Sequence, residues 1–182
     1  MNLEPLPPRR QIWQVRGTVS CPEFKRDRRS LAYHEAGHAV FALWLGVPSV
    51  SAELGADAGS VMPEWPSPPS DETSFPPPAA LEEFAALMYA ALLFSGLQAE
   101  ILVAGLDVAG LMRAGDDDDR KARAHLREAF RSEVPAWYCQ RFARALLTQH
   151  WGAVETIAAE LLASSAGRWT RFHLTGEEVR PC

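Results

Sequence analysis

His34, Glu35 and His38 form a His-Glu-x-x-His segment inside the apolar run 31–45. An α-helix has 3.6 residues per turn, so positions i and i+4 stand one above the other on one face. His34 and His38 can therefore offer two imidazole nitrogens to one metal ion. Glu35 projects beside them, within reach of a water on that ion. Two histidines and an adjacent carboxylate are the minimal set for zinc-activated hydrolysis, with Glu35 as general base. The motif also arises by chance on surface helices, and here the flanks argue against that. Ser30 is a good N-cap. Leu31, Ala32, Val40, Phe41, Leu43, Trp44 and Leu45 make the helix apolar on most sides, and Gly46 followed by Pro48 stops it. Burying His and Glu in such a helix without partners is costly, and a metal removes that cost.

Two histidines leave a catalytic zinc site short of its usual third protein ligand. The metzincin extension needs a glycine at position 41 and a histidine at 44. This chain has Phe41 and Trp44, which excludes that class. The third ligand is then a downstream carboxylate among Glu53, Glu64, Glu82, Glu83, Glu100 and the run Asp116-Asp117-Asp118-Asp119. Acidic residues at a helix start also cap free N–H groups, but four in succession repel one another. Asp118 lies four residues before Ala122, on the face continued by Leu126 and Ala129. Asp119 aligns with Arg123 and Arg127, expected to face water. Asp118 is the expected ligand, with Asp119 or Asp117 as fallback. His125, His150 and His173 show no ligand spacing.

Those residues need a scaffold, and 182 residues suffice for one domain with a real core. The hydrophobic share of 47% is that of a globular protein, and the net charge of −5 gives no reason to expect nucleic acid. The short basic cluster Lys25-Arg26-Asp27-Arg28-Arg29 reads as a solvated lead-in. Cys21, Cys139 and Cys182 are odd in number and far apart, which fits free thiols in a reducing, cytoplasmic setting. The first ten residues lack the apolar core of a signal peptide. No membrane span is expected, because the longest apolar region, 84–111, is interrupted by Ser95, Gln98, Glu100 and Asp107.

Along the chain, residues 1–29 read as an extended or partly ordered arm, with Ile12, Trp13 and Val15 able to dock, and 30–182 as the domain. After the metal helix, 47–54 and 60–65 flank the turn 55–59 as a small hairpin. The Pro-rich segment 63–78 cannot form helix or central strand and is a surface loop. Helices are expected over 79–104, from within Asp116–Asp119 to about 132, from Pro135 through Leu147, and over 154–163, with Trp151-Gly152 as a break. A short tail, 168–179, closes the chain. The fold class is mainly α with a small β-hairpin.

Several colinear segments resemble the FtsH-type zinc metallopeptidase family. Ala32-Tyr33-His34-Glu35-Ala36-Gly37-His38-Ala39-Val40 resembles its zinc helix. Ser95-Gly96-Leu97-Gln98-Ala99-Glu100-Ile101-Leu102 resembles its Gly-Gly-Arg-x-Ala-Glu-Glu-Leu helix. Ala114 to Ala122 resembles the segment whose Asp is the third zinc ligand, and Asp118 falls on that Asp. Trp151 to Leu162 and Leu174-Thr175-Gly176-Glu177-Glu178-Val179 are similar to its C-terminal close. The likeness spans about residues 30–180. It implies a helical bundle around the HExxH helix, a Zn²⁺ ion on His34, His38 and Asp118, and cleavage of peptide or unfolded-protein substrates. Glu100 would then orient a ligating histidine. Leu97 replaces the family's Arg, and Asp117 stands where the family has Asn. No Walker A loop or membrane anchor is present, so substrate delivery would fall to a separate unfoldase, to self-association or to the substrate's own flexibility. The alternative is a non-catalytic regulator or adaptor that keeps the fold and uses zinc as a staple.

Overall fold

The computed structural model describes residues 27–55, 58–64, 79–104, 117–132 and 134–164. In chain order these are α1 (Arg28–Trp44), β1 (Ser49–Leu54), β2 (Gly59–Glu64), α2 (Ala79–Val103), α3 (Asp117–Phe130), α4 (Val134–Gln149) and α5 (Trp151–Ala163). The arm before residue 27, the loop 65–78, Asp116 and the tail from 165 lie outside the described residues.

Helix α1 is the centre of the fold. Every residue from His34 to Ala42 is buried, so it needs neighbours on all sides. It packs on α2, α5, α4 and both strands. It begins three residues earlier than the sequence suggests. Asp27, not Ser30, is the N-cap, and its carboxylate accepts the Ser30 N–H at 2.6 Å. Asp is at least as good a cap as Ser. The shift takes Arg28 and Arg29 out of the arm and into the helix. Arg28 donates to the Ser164 carbonyl at the end of α5, and Gly46 ends α1 at φ 84°.

The hairpin matches its sequence signals. β1 and β2 pair antiparallel, Ser49 opposite Glu64 and Leu54 opposite Gly59. Pro63 is a strand residue, not the first residue of a loop. It is tolerated because each strand of a two-stranded sheet has an edge, where Pro need not donate. Val50, Ala52 and Leu54 turn inward from β1.

Helices α1 and α2 run antiparallel, with Ser30 beside Glu100 and His38 beside Leu92. The stretch Leu81–Val103 of α2 has the length and hydropathy of a bilayer helix, yet 67% of its most apolar window is buried inside the fold. It behaves as a core helix, although its first turns leave Leu81 and Phe84 exposed. The α3 face is narrower than its sequence suggests: Ala122 and Leu126 are buried, whereas Ala129 is exposed. Phe41, Phe94, Leu126, Leu147 and Ile157 fill the core. Cys139 is a free, buried thiol, and burial raises its pKa to about 11, so it is chemically quiet.

The α1–α2 contact is tightest at Gly37. A Cβ there would lie 2.7 Å from the Ser95 carbonyl oxygen and 2.8 Å from Ala99 Cβ. Gly37→Ala should therefore destabilise by about 1–3 kcal/mol despite alanine's better helix propensity. Urea unfolding of the two proteins checks this.

Candidate metal centre

α1 supplies His34 and His38 one turn apart, and α3 supplies Asp118 from its first turn. His34 Nε2 and His38 Nε2 are 3.0 Å apart, and Asp118 Oδ2 lies 3.1 Å from the first and 3.2 Å from the second. Three ligand-type atoms thus form a nearly equilateral triangle. Around a tetrahedral ion with ligands at about 2.0–2.1 Å, neighbouring ligand atoms stand roughly 3.3–3.4 Å apart. The triangle needs to open by only a few tenths of an ångström to become one face of that tetrahedron. This set could hold a metal ion.

Helix α2 holds both rings by their far nitrogens. Glu100 Oε1 lies 2.6 Å from His34 Nδ1. The Leu92 carbonyl lies 2.8 Å from His38 Nδ1 and also accepts the Ser95 hydroxyl at 2.6 Å. Carboxylate and carbonyl are acceptors, so each Nδ1 carries a proton, and Nε2 is the nitrogen that each ring turns toward the triangle, where its lone pair would face a bound ion. Glu100 therefore stands behind a ligand-type histidine. His34, Glu35, His38 and Glu100 are 3, 4, 8 and 4% exposed, whereas Asp118 is half-buried and is the more open side of the centre.

Two glycines make room, and nothing in the sequence says what either of them meets. A Cβ on Gly96 would stand 2.5 Å from His38 Nε2 and 2.6 Å from His34 Nε2, crowding the space between them. A Cβ on Gly59, the first residue of β2, would lie 2.6 Å from both Cγ and Cδ of Glu35. The hairpin thus packs its glycine backbone against that carboxylate.

The other candidate carboxylates lie elsewhere. Glu53 and Glu64 are exposed on the hairpin. Glu82 and Glu83 line a depression of about 510 Å³ between α2 and α3, together with His125, which packs edge-on to Tyr89 at 5.1 Å. Asp117 pairs with Arg120 and Lys121 on the surface. Asp119 pairs with Arg123 at 2.8 Å, and this pair is largely covered instead of facing water. Arg123 lies over the Phe94 ring on α2, which shields it. The three described acidic residues thus divide between surface, triangle and ion pair.

The charges are interdependent. Burial opposes a charge on His34, but hydrogen bonds to Asp118 and Glu100 and the charges of Glu100 and Glu35 outweigh it, raising its pKa to about 9. Burial likewise opposes charge on Asp118, yet its hydrogen bonds to His34 and His38 and their charges hold its carboxyl well below the usual range. In the metal-free chain the proton on His34 Nε2 points at Asp118 Oδ2, where a cation would otherwise sit.

The sign of the pH dependence follows. The His34 contribution to stability is complete below its ordinary value of 6.5 and is lost as pH rises through about 9. The Asp118 contribution is present above its ordinary 3.8 and is lost as pH falls below that. Metal-free melting temperatures should drop between about pH 7 and pH 10. At pH 7 a divalent cation must displace the His34 proton, so titration calorimetry in buffers of different ionisation enthalpy should show about one proton released per ion. Gly96→Ala should bind zinc at least ~10-fold more weakly, measured by chelator competition. No family model matches the chain, and no curated protein matches it.

Proposed function

We propose that this chain is a zinc-dependent metallopeptidase of the FtsH type. The observation that carries this is the convergence of His34 Nε2, His38 Nε2 and Asp118 Oδ2 at 3.0–3.2 Å, with Glu35 buried on the same helix beside them. Two imidazoles and one carboxylate are a donor set suited to catalytic zinc, which takes three protein ligands and keeps a fourth position open. When bound, zinc would supply Lewis-acid polarisation of the scissile carbonyl and acidify a water toward a pKa of about 7.

The chain's own residues do the rest. Glu35 takes a proton from the attacking water as its oxygen bonds to the carbonyl carbon. Glu35 then gives that proton to the amine nitrogen as the C–N bond breaks. Glu100 and the Leu92 carbonyl keep His34 and His38 in the tautomer that leaves Nε2 free. Glu35 is buried with the hairpin backbone at Gly59 against its carboxylate, which limits bulk water and strengthens each of these interactions. Flexible or unfolded polypeptide is the proposed substrate class.

Glu35→Gln should retain zinc and lose hydrolysis of an unstructured peptide by roughly 10²–10⁴-fold, the usual worth of a general base. Asp118→Ala should weaken zinc binding by more than the roughly 10–100-fold typical of outer-sphere losses. Bound-metal analysis and a fluorogenic casein assay on the three proteins check both. Full activity in Glu35→Gln overturns the mechanism. Zinc bound by the parent without hydrolysis of any unfolded substrate favours the regulator reading instead.

A further inference from the structure

We propose that Ser30 is a positioning residue for the metal centre, acting through Glu100 on His34. The inference rests on the metal-centre reading above and goes beyond it, because the Ser30 hydroxyl bonds Glu100 and is not itself a ligand-type atom of the triangle. By type and place in the sequence, Ser30 looks like a helix cap. Asp27 takes that role through the Ser30 backbone N–H, which leaves the Ser30 hydroxyl to do something else. It donates to Glu100 Oε2 at 2.9 Å, while Glu100 Oε1 holds His34 Nδ1 at 2.6 Å.

The spacing explains why this works. Ser30 and His34 are four apart, so hydroxyl and imidazole lie on one face of α1, and the Glu100 carboxylate from α2 spans the step between them. The terminal torsion of a glutamate is broad and roughly two-fold. The Ser30 bond at Oε2 adds a constraint against turning about that last bond, a turn that would carry the plane of the His34 ring with it. Held by both oxygens from the same helix face, the carboxylate has its plane set. The His34 Nδ1–H then has one direction in which to point, and the lone pair on Nε2 is aimed at His38 and Asp118. Glu100 is 4% exposed, so water does not easily replace the Ser30 hydroxyl at Oε2.

The test compares the full chain with Ser30→Ala, Ser30→Thr and Asp27→Ala. Zinc affinity is read by competition with a chromophoric chelator, ligand geometry by the visible spectrum of the Co(II)-loaded protein, and fold stability by metal-free melting. Ser30→Ala should weaken zinc by about 3–30-fold, at or below the range for a direct partner of a ligand, and alter the Co(II) bands. Ser30→Thr keeps a hydroxyl able to adopt the same rotamer and should restore both. Asp27→Ala removes the cap and should lower the melting temperature with zinc affinity unchanged. Parent-like zinc affinity and Co(II) spectrum in Ser30→Ala, or no restoration by Thr, overturns the role of Ser30 while leaving the metal centre standing. A parent chain that binds neither Zn(II) nor Co(II) overturns both.

Discussion

Four buried ionisable side chains, His34, Glu35 and His38 on α1 and Glu100 on α2, surround an α1–α2 contact close enough to need glycine. Buried polar groups without partners cost about 1–3 kcal/mol each, and charges cost more. The interface answers by pairing across itself. Each imidazole finds an acceptor on α2, and Gly37 lets the helices approach until those bonds close. The chemistry and the packing are therefore one constraint. A residue that forced the helices apart would lengthen the hydrogen bonds that aim the rings.

The rest of the architecture follows from α1 being buried all round. The hairpin covers it on one side, α5 and α4 on others, and α2 on the face that bears the histidines. Helix α3 packs on α2, with Arg123 over Phe94 and His125 against Tyr89. That docking sets how far its first turn reaches, and so brings Asp118 to the two Nε2 atoms. Two successive turns of packing, Ala122 and Leu126, fix the rotation of α3 that sends Asp118 inward and leaves Asp117 in solvent.

Charge balance completes the site. Two carboxylates, Asp118 and Glu100, bracket His34 from its two nitrogens, and Glu35 adds a third negative charge nearby. Such an arrangement favours a positive charge at the triangle, whether a proton or a metal ion. A largely buried, negatively biased site with converging ligand atoms is the physical condition for binding a cation tightly.

The HExxH spacing, the glycine stop, the hairpin turn and the α3 periodicity were legible in the sequence because each is a local property, set by 3.6- or 2-residue repeats and by backbone preference. Periodicity also singled out Asp118, since one helix face had to be apolar. Other features belonged to tertiary structure. The sequence points to Ser30 as the cap, and only the folded chain puts Asp27 in that role and Glu100 beside the serine hydroxyl. Arg123 looks solvent-facing until Phe94 covers it. Gly59 and Gly96 are unremarkable glycines until Glu35 and the two imidazoles press against them. The sequence alone determined which side chains could share a face, because that depends on helical repeat. Only the packing of α2, α3 and the hairpin on α1 decided which of them meet, because residues 34, 59, 96 and 118 become neighbours through contacts that no local repeat encodes.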